Sequence, residues 1–147
     1  NPANAVIIRT SWVYSKFGNN FVKTMLRLAE TRDEISVVVD QIGSPTNAGD
    51  LAKAILTVLP KLENTTVELF HYSNEGVCSW YDFAKAIFDI NELDIKVTPI
   101  ESAQYQTPAK RPFYSVMNKT KIEAQYNIEA SYWKNSLVRC LKIIDIK

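Results

Sequence analysis

Hydrophobic and polar positions follow two alternating rhythms along this chain. Residues 5–8 form a short continuous apolar run rich in β-branched side chains. That is the pattern of a strand buried on both faces of a parallel sheet. Phe21, Met25, Leu28 and Ala29 then recur at helical spacing behind Asn19-Asn20, which predicts a capped helix running to about Glu30. Residues 36–39 predict a strand, and residues 40–46, punctuated by Gly43 and Pro45, predict a loop. Asn47 and Asp50 predict the start of a second helix, with Leu51, Ala52, Ile55 and Leu59 on its inner face and Pro60 at its end. Residues 67–72 predict another strand.

Ser79 with Asp82 has the form of a capping box, Asp standing in the usual Glu place. The helix it opens carries Trp80, Phe83, Ala84, Ile87 and Phe88 inward. Residues 95–100 predict a strand, and residues 103–112 a loop holding Pro108 and Pro112. Asn118 caps a short helix ending near Tyr126. A last helix over about residues 132–144 turns Trp133, Leu137, Leu141 and Ile144 inward. Strands alternating with helices predict an α/β fold, and 147 residues predict a single domain.

Composition narrows the partners. The chain is 46% hydrophobic and 22% charged, the balance of a globular protein able to fold without metal or disulfide. A formal charge of +1 gives no reason to expect nucleic acid or a membrane surface, and no apolar run approaches a membrane span. Cys78 and Cys140 stand far apart with no CxxC, so two buried thiols in a cytoplasmic protein are expected rather than a zinc site or a disulfide. The chain has no initiator Met, and Asn1-Pro2-Ala3-Asn4 leads almost directly into a strand. It therefore reads as a part of something longer.

Candidate chemistry is defined first by what is missing. A dinucleotide fold needs a glycine-rich turn so that backbone can approach the pyrophosphate at a helix N-terminus. The four glycines, Gly18, Gly43, Gly49 and Gly76, do not have that spacing. Tyr81 and Lys85 stand one helical turn apart, the spacing of a reductase Tyr/Lys pair. With seven tyrosines and twelve lysines, roughly half of all such chains would show one match by chance, and a solvated helix-edge pair is the preferred reading. His71, the single histidine, falls in a strand pattern and reads as structural. No metal-ligand spacing and no nucleophile-elbow motif occur. The polar and aromatic cluster Arg9-Thr10-Ser11-Trp12-Val13-Tyr14 lies beyond the carboxyl end of the first strand, where open α/β sheets bind ligands.

Several segments stand in a familiar order. They are Arg9-Thr10-Ser11-Trp12-Val13-Tyr14, Gly18-Asn19-Asn20-Phe21-Val22, Val39-Asp40-Gln41-Ile42-Gly43-Ser44-Pro45-Thr46, Ser79-Trp80-Tyr81-Asp82-Phe83-Ala84, Thr107-Pro108-Ala109-Lys110-Arg111-Pro112 and Ser115-Val116. Together they resemble the C-terminal half of the dTDP-4-dehydrorhamnose reductases, a family of extended short-chain dehydrogenases. The resemblance covers nearly the whole chain. It implies the C-terminal portion of a Rossmann-like fold, with parallel strands, flanking helices and a small substrate-binding lobe. Residues 1–90 would hold the last strands of the sheet and residues 91–147 most of the lobe. The resemblance also implies an N-terminal half, outside this chain, that carries the dinucleotide loop and the catalytic Tyr/Lys pair. NADPH or NADH would serve that half, with none bound by this chain alone.

The resemblance gives a dTDP-sugar as substrate, and it assigns roles, each beside a plainer alternative. Trp12 lays its ring against the deoxysugar, or is a core tryptophan. Arg111 pairs with the diphosphate through its guanidinium fork, or makes a surface ion pair. Gln41, with the backbone of residues 38–40, borders the nucleotide. Asn20 is a phosphate donor or a helix cap, Thr46 and Asn47 are a loop-to-helix cap before they are ligand contacts, and Arg9 ties its strand end to a carboxylate. Relatives of the family also act as non-catalytic regulatory subunits of methionine adenosyltransferase, the second reading. Residues 5–8 would form an exposed apolar edge, which predicts a homodimer or a strand-exchanged dimer.

Overall fold

Two pairs of parallel strands, each backed by helices, make the framework. The computed structural model describes residues 5–105 and 107–144. Strand β1 (Val6–Arg9) is followed by the two-residue strand β2 (Val13–Tyr14) and helix α1 (Phe21–Ala29). Next come β3 (Glu34–Val38), the short strands β4 (Ile42–Gly43) and β5 (Thr46–Asn47), and α2 (Ala48–Val58). Then β6 (Glu68–His71) and β7 (Cys78–Ser79) lead to α3 (Trp80–Ile90), β8 (Lys96–Ile100), α4 (Thr120–Tyr126) and α5 (Trp133–Leu141). β1 runs parallel to β6 from Val6 opposite Glu68 to Arg9 opposite His71. β3 runs parallel to β8, which places Pro99 opposite Val37; a proline has no amide to offer a further strand. β2 and β5 pair in parallel, β4 and β7 antiparallel.

Each pair has its own core. Around β1–β6, Phe70, Ala54, Val58, Ile122 and Tyr126 are buried, with Val6 and Ile8 packed on them. Around β3–β8, Ile35, Val37 and Val97 meet Val22 and Met25 of α1, Phe83, Ala84, Ile87 and Phe88 of α3, and Trp133, Leu137 and Leu141 of α5. Burial of each large side chain contributes about 1.5–3 kcal/mol. Neither core stops at residue 90: β8, beyond it, pairs with β3, before it.

Two expectations are corrected. β1 is not buried on both faces. Val6 and Ile8 turn to the core, while Ile7 is 53% exposed and its neighbour Leu69 on β6 is 37% exposed. Side chains alternate across a strand, and only one face of this pair is covered by the described residues. The inner face of α2 is also rotated. Asp50, Ala54 and Val58 are buried, while Ala52 and Leu59 are exposed. An apolar count misses this because the residue leading that face is an aspartate. Its carboxylate is satisfied inside by Asn74, Ser136 and Arg139.

Candidate sugar-nucleotide site

Beyond the carboxyl end of β1 the chain makes an unusual turn. Trp12 sits at φ 49°, a left-handed conformation that costs an L-residue about 1–2 kcal/mol. Three hydrogen bonds hold the turn against residues 44–46. The Ser11 hydroxyl donates to the Ser44 carbonyl at 2.9 Å, Thr10 Oγ1 bonds Thr46 Oγ1 at 3.3 Å, and the Thr46 amide donates to the Trp12 carbonyl at 3.1 Å.

The half-buried Trp12 ring lies on that of Trp80, with centroids 3.7 Å apart and planes 13° from parallel. Trp80 is the first residue of α3, fixed by a complete capping box. Ser79 Oγ accepts from the Asp82 amide at 3.0 Å, and the Asp82 carboxylate accepts from the Ser79 amide at 2.9 Å. Phe21, first residue of α1, abuts Trp80 with centroids 4.6 Å apart. Asn20 places it. Its side-chain oxygen caps the Lys23 amide at 3.2 Å, and its amide group donates to the Ser15 and Phe17 carbonyls at 2.8 and 3.3 Å. The cap half of the Asn20 expectation is therefore observed, and Asn47 likewise caps Gly49 and Asp50 of α2.

Gly43 closes the cluster from β4. A Cβ built on it would stand 2.7 Å from Trp12 Cε2 and Cζ2, and 2.7 Å from Ser115 Oγ. The segment carrying Ser115 runs alongside β4. The Ile42 amide donates to the Phe113 carbonyl at 2.8 Å, and the Ser115 amide donates to the Ile42 carbonyl at 2.9 Å. Arg111 lies four residues before Ser115, which limits its backbone to about 14 Å from that residue. It is exposed and makes no ion pair among the described residues.

Gln41, also beside β4, donates to Ser102 Oγ at 2.9 Å, and Ser102 in turn donates through its hydroxyl and amide to Asp40 at 2.7 and 2.9 Å. The Ser102 hydroxyl holds the Asp40 carboxyl below the ordinary carboxylate range. Trp12, Trp80, Gly43 and Ser115 are thus brought into contact. Gln41 adjoins β4, and neither Gln41 nor Arg111 touches Trp12 through any described hydrogen bond or ring contact.

The remaining candidates fall elsewhere. Lys85 pairs with Asp89 at 3.6 Å on the surface of α3, as a helix-edge residue should. His71 ends β6, half-buried opposite Arg9. Arg9 makes no ion pair among the described residues, which corrects its expected tie to a carboxylate. Both cysteines are free and buried. No group of three or more His, Cys, Asp or Glu among the described residues is placed to hold a metal. A cavity of about 480 Å³ lies apart from Trp12, between α2, the end of β6 and α5, lined by Asp50, Lys53, Tyr72 and Arg139 among others.

Two members of the cluster escaped sequence reasoning. Trp80 counted as core, although a tryptophan at the first position of a capped helix stands at an element's end, where sites form. Gly43 counted as loop punctuation, although a glycine within a strand signals close approach of a neighbour.

The family model of the RmlD substrate binding domain matches residues 1–146. The chain belongs to the RmlD substrate-binding domain family. Among its relatives is the dTDP-4-dehydrorhamnose reductase of Sinorhizobium fredii, 45% identical over 147 residues, which cover 95% of this chain and 49% of that protein. Among the solved structures that this chain resembles are two reductases. One is the dTDP-4-dehydrorhamnose reductase of Bacillus anthracis in complex with NADP, with TM-score 0.88, 39% identity, and 97% of this chain on 49% of that one. The other is an orthologue from Clostridium acetobutylicum, with TM-score 0.87, 43% identity, and 95% on 48%. This RmlD domain thus spans about half the length of the relatives it matches. Its α/β fold, with parallel strands and flanking helices, is that of extended short-chain reductases.

The four glycines of the RmlD domain do not offer the turn that a dinucleotide's pyrophosphate needs. Gly43 is filled by Trp12 and Ser115, Gly76 by Tyr132, Gly49 lies within α2, and Gly18 precedes α1 in a loop. None forms the strand–glycine turn–helix that cradles a pyrophosphate. No helix is long and apolar enough to cross a membrane among the described residues.

Proposed function

We propose that this chain is the sugar-nucleotide-binding part of a dTDP-4-dehydrorhamnose reductase of the cytoplasm. In that enzyme the C4 ketone of dTDP-4-dehydro-L-rhamnose is reduced to the alcohol of dTDP-L-rhamnose. NADPH or NADH supplies the hydride, and both the dinucleotide and the proton donor are held by residues outside this chain. Trp12 offers a flat apolar surface to the 6-methyl side of the deoxysugar. Arg111 neutralises the diphosphate, its planar fork matching phosphate oxygens. Gln41 borders the nucleotide, and Asn20, through its cap, keeps the loop before α1 in place at the rim.

One observation carries this reading. A tryptophan held in a strained conformation beyond the carboxyl end of a parallel strand is stacked, pinned and left half-exposed. Strain of that kind persists where the surroundings over-determine it, and it clusters at ligand sites. The test is calorimetric titration of dTDP-L-rhamnose into the reductase carrying this segment. Trp12→Ala and Arg111→Ala are each expected to weaken binding about tenfold, the scale of a lost stack or a lost charge-assisted pair. Unchanged affinity in both would remove them from the site.

A further inference from the structure

We propose that Trp80 and Gly43 are positioning residues that together set the plane and depth of the Trp12 ring, a proposal resting on the sugar-site reading above. Trp80 covers one face of Trp12 at 3.7 Å, so the exposure that Trp12 retains belongs to what Trp80 and Gly43 leave uncovered. Trp80 cannot follow a moving ligand. It opens a helix locked by the Ser79–Asp82 box, and Phe21 stands against it. Gly43 fixes the second coordinate. It is not there for a left-handed backbone, since the positive-φ glycines are Gly18 and Gly76. What it provides is the absence of a side chain, because a methyl group there would overlap Cε2 and Cζ2 of Trp12.

A side chain at residue 43 must displace both Ser115 Oγ and the indole, and a displaced indole leaves its register with Trp80. A flat ring held by an aromatic plane on one side and by bare backbone against Cε2 and Cζ2 has one position. That position sets how deep a sugar can sit before it meets the ring. Neither residue reaches the reacting atoms; both act through Trp12.

The test uses the full-length reductase carrying this segment, with Trp80→Leu, Trp80→Phe, Gly43→Ala and Trp12→Ala. Two properties are read: the exciton-coupled circular dichroism of the stacked indoles, and KM for the sugar nucleotide against KM for NADPH. Trp80→Leu should abolish the coupled signal and raise KM for the sugar nucleotide about three- to tenfold, the scale of one aromatic stack, leaving KM for NADPH unchanged. Trp80→Phe should recover most of the affinity because it keeps a ring at that place. Gly43→Ala should shift the coupled signal and raise the same KM, and it keeps the test intact if Trp80→Leu fails to fold. If Trp12→Ala raises KM while Trp80→Leu and Gly43→Ala do not, the proposal is overturned and the sugar-site reading stands. If Trp12→Ala changes nothing, both fall. An equal rise in the two KM values would mark a general structural defect and also overturn the proposal.

Discussion

Arg139 donates through a single nitrogen to both carboxylate oxygens of Asp50, at 3.0 and 2.9 Å, and so closes α5 onto the first turn of α2. The Asp50 side chain is 10% exposed and that of Arg139 is 50% exposed. Asn74, in the loop after β6, donates to the same carboxylate at 2.8 Å and to Ser136 Oγ at 3.0 Å, while its own oxygen accepts from the Asn47 amide at 2.7 Å. Asn47 leads back to β2 and the Trp12 turn. One buried acid thus gathers α2, α5 and the loops that shape the site.

Replacing Asp50 with Ala leaves the buried Ser136 hydroxyl proton without its acceptor and removes one acceptor of the Asn74 amide, while the guanidinium turns to solvent. Unfolding in urea should show a loss of about 2–4 kcal/mol. Arg139→Ala should lose about 1 kcal/mol, since its partner keeps two other donors. Equal losses would contradict this division.

Acid should dissolve the same link. Burial alone pushes the Asp50 carboxyl upward, but hydrogen bonds from Ser136 and Asn74 and the Arg139 guanidinium outweigh it and hold the group below the ordinary carboxylate range. A depressed folded value means the unfolded chain binds the proton more readily. The contribution is therefore complete above the unfolded value of about 3.9 and is lost as pH falls through the folded one. Denaturation of wild type and Asp50→Asn from about pH 6 to about pH 3 should show the stability gap shrinking. A gap that stays constant would contradict this assignment.

The bare face of β1–β6 carries its own consequence. Ile7 and Leu69 are exposed side by side in register, and unpaired strand edges promote association. The isolated chain should associate with rising concentration in sedimentation or light scattering, as a dimer or a strand exchange. Ile7→Lys should restore the monomer. A wild-type chain monomeric at high concentration would contradict this.

Much of the framework was legible because its signals are local. Asn20 and Ser79 cap α1 and α3 within three residues of themselves, and the apolar spacing of α5 reads directly onto Trp133, Leu137 and Leu141. The four two-residue strands were not legible. The pairing of Val13 with Thr46, or of Ile42 with Ser79, depends on partners more than thirty residues away. No local propensity reports that. Asp50 was read correctly as part of the helix start, but its burial was not legible because its inward turn depends on residues of β6's loop and α5. In the site, Trp12 was legible as a candidate through its place after β1. Its left-handed backbone, its stack on Trp80 and its fit over Gly43 arise only when three distant segments converge.

Both thiols should be inert in the native protein. Burial pushes the Cys78 thiol up to about 12, with Asp82 adding to the effect, and burial raises Cys140 as well. A thiol with a raised pKa holds little of the reactive thiolate near neutral pH. A chromogenic disulfide reagent should label neither cysteine until denaturant is added, then both. Rapid native labelling would contradict their placement in the core.

The most direct measurement joins this chain, in place of the matching C-terminal half, to the N-terminal half of a related dTDP-4-dehydrorhamnose reductase and follows NADPH oxidation with dTDP-4-dehydro-L-rhamnose. The account predicts turnover by the chimera and none by this chain alone. A folded chimera that binds NADPH yet leaves the sugar nucleotide unreduced, or turnover by this chain by itself, would contradict it.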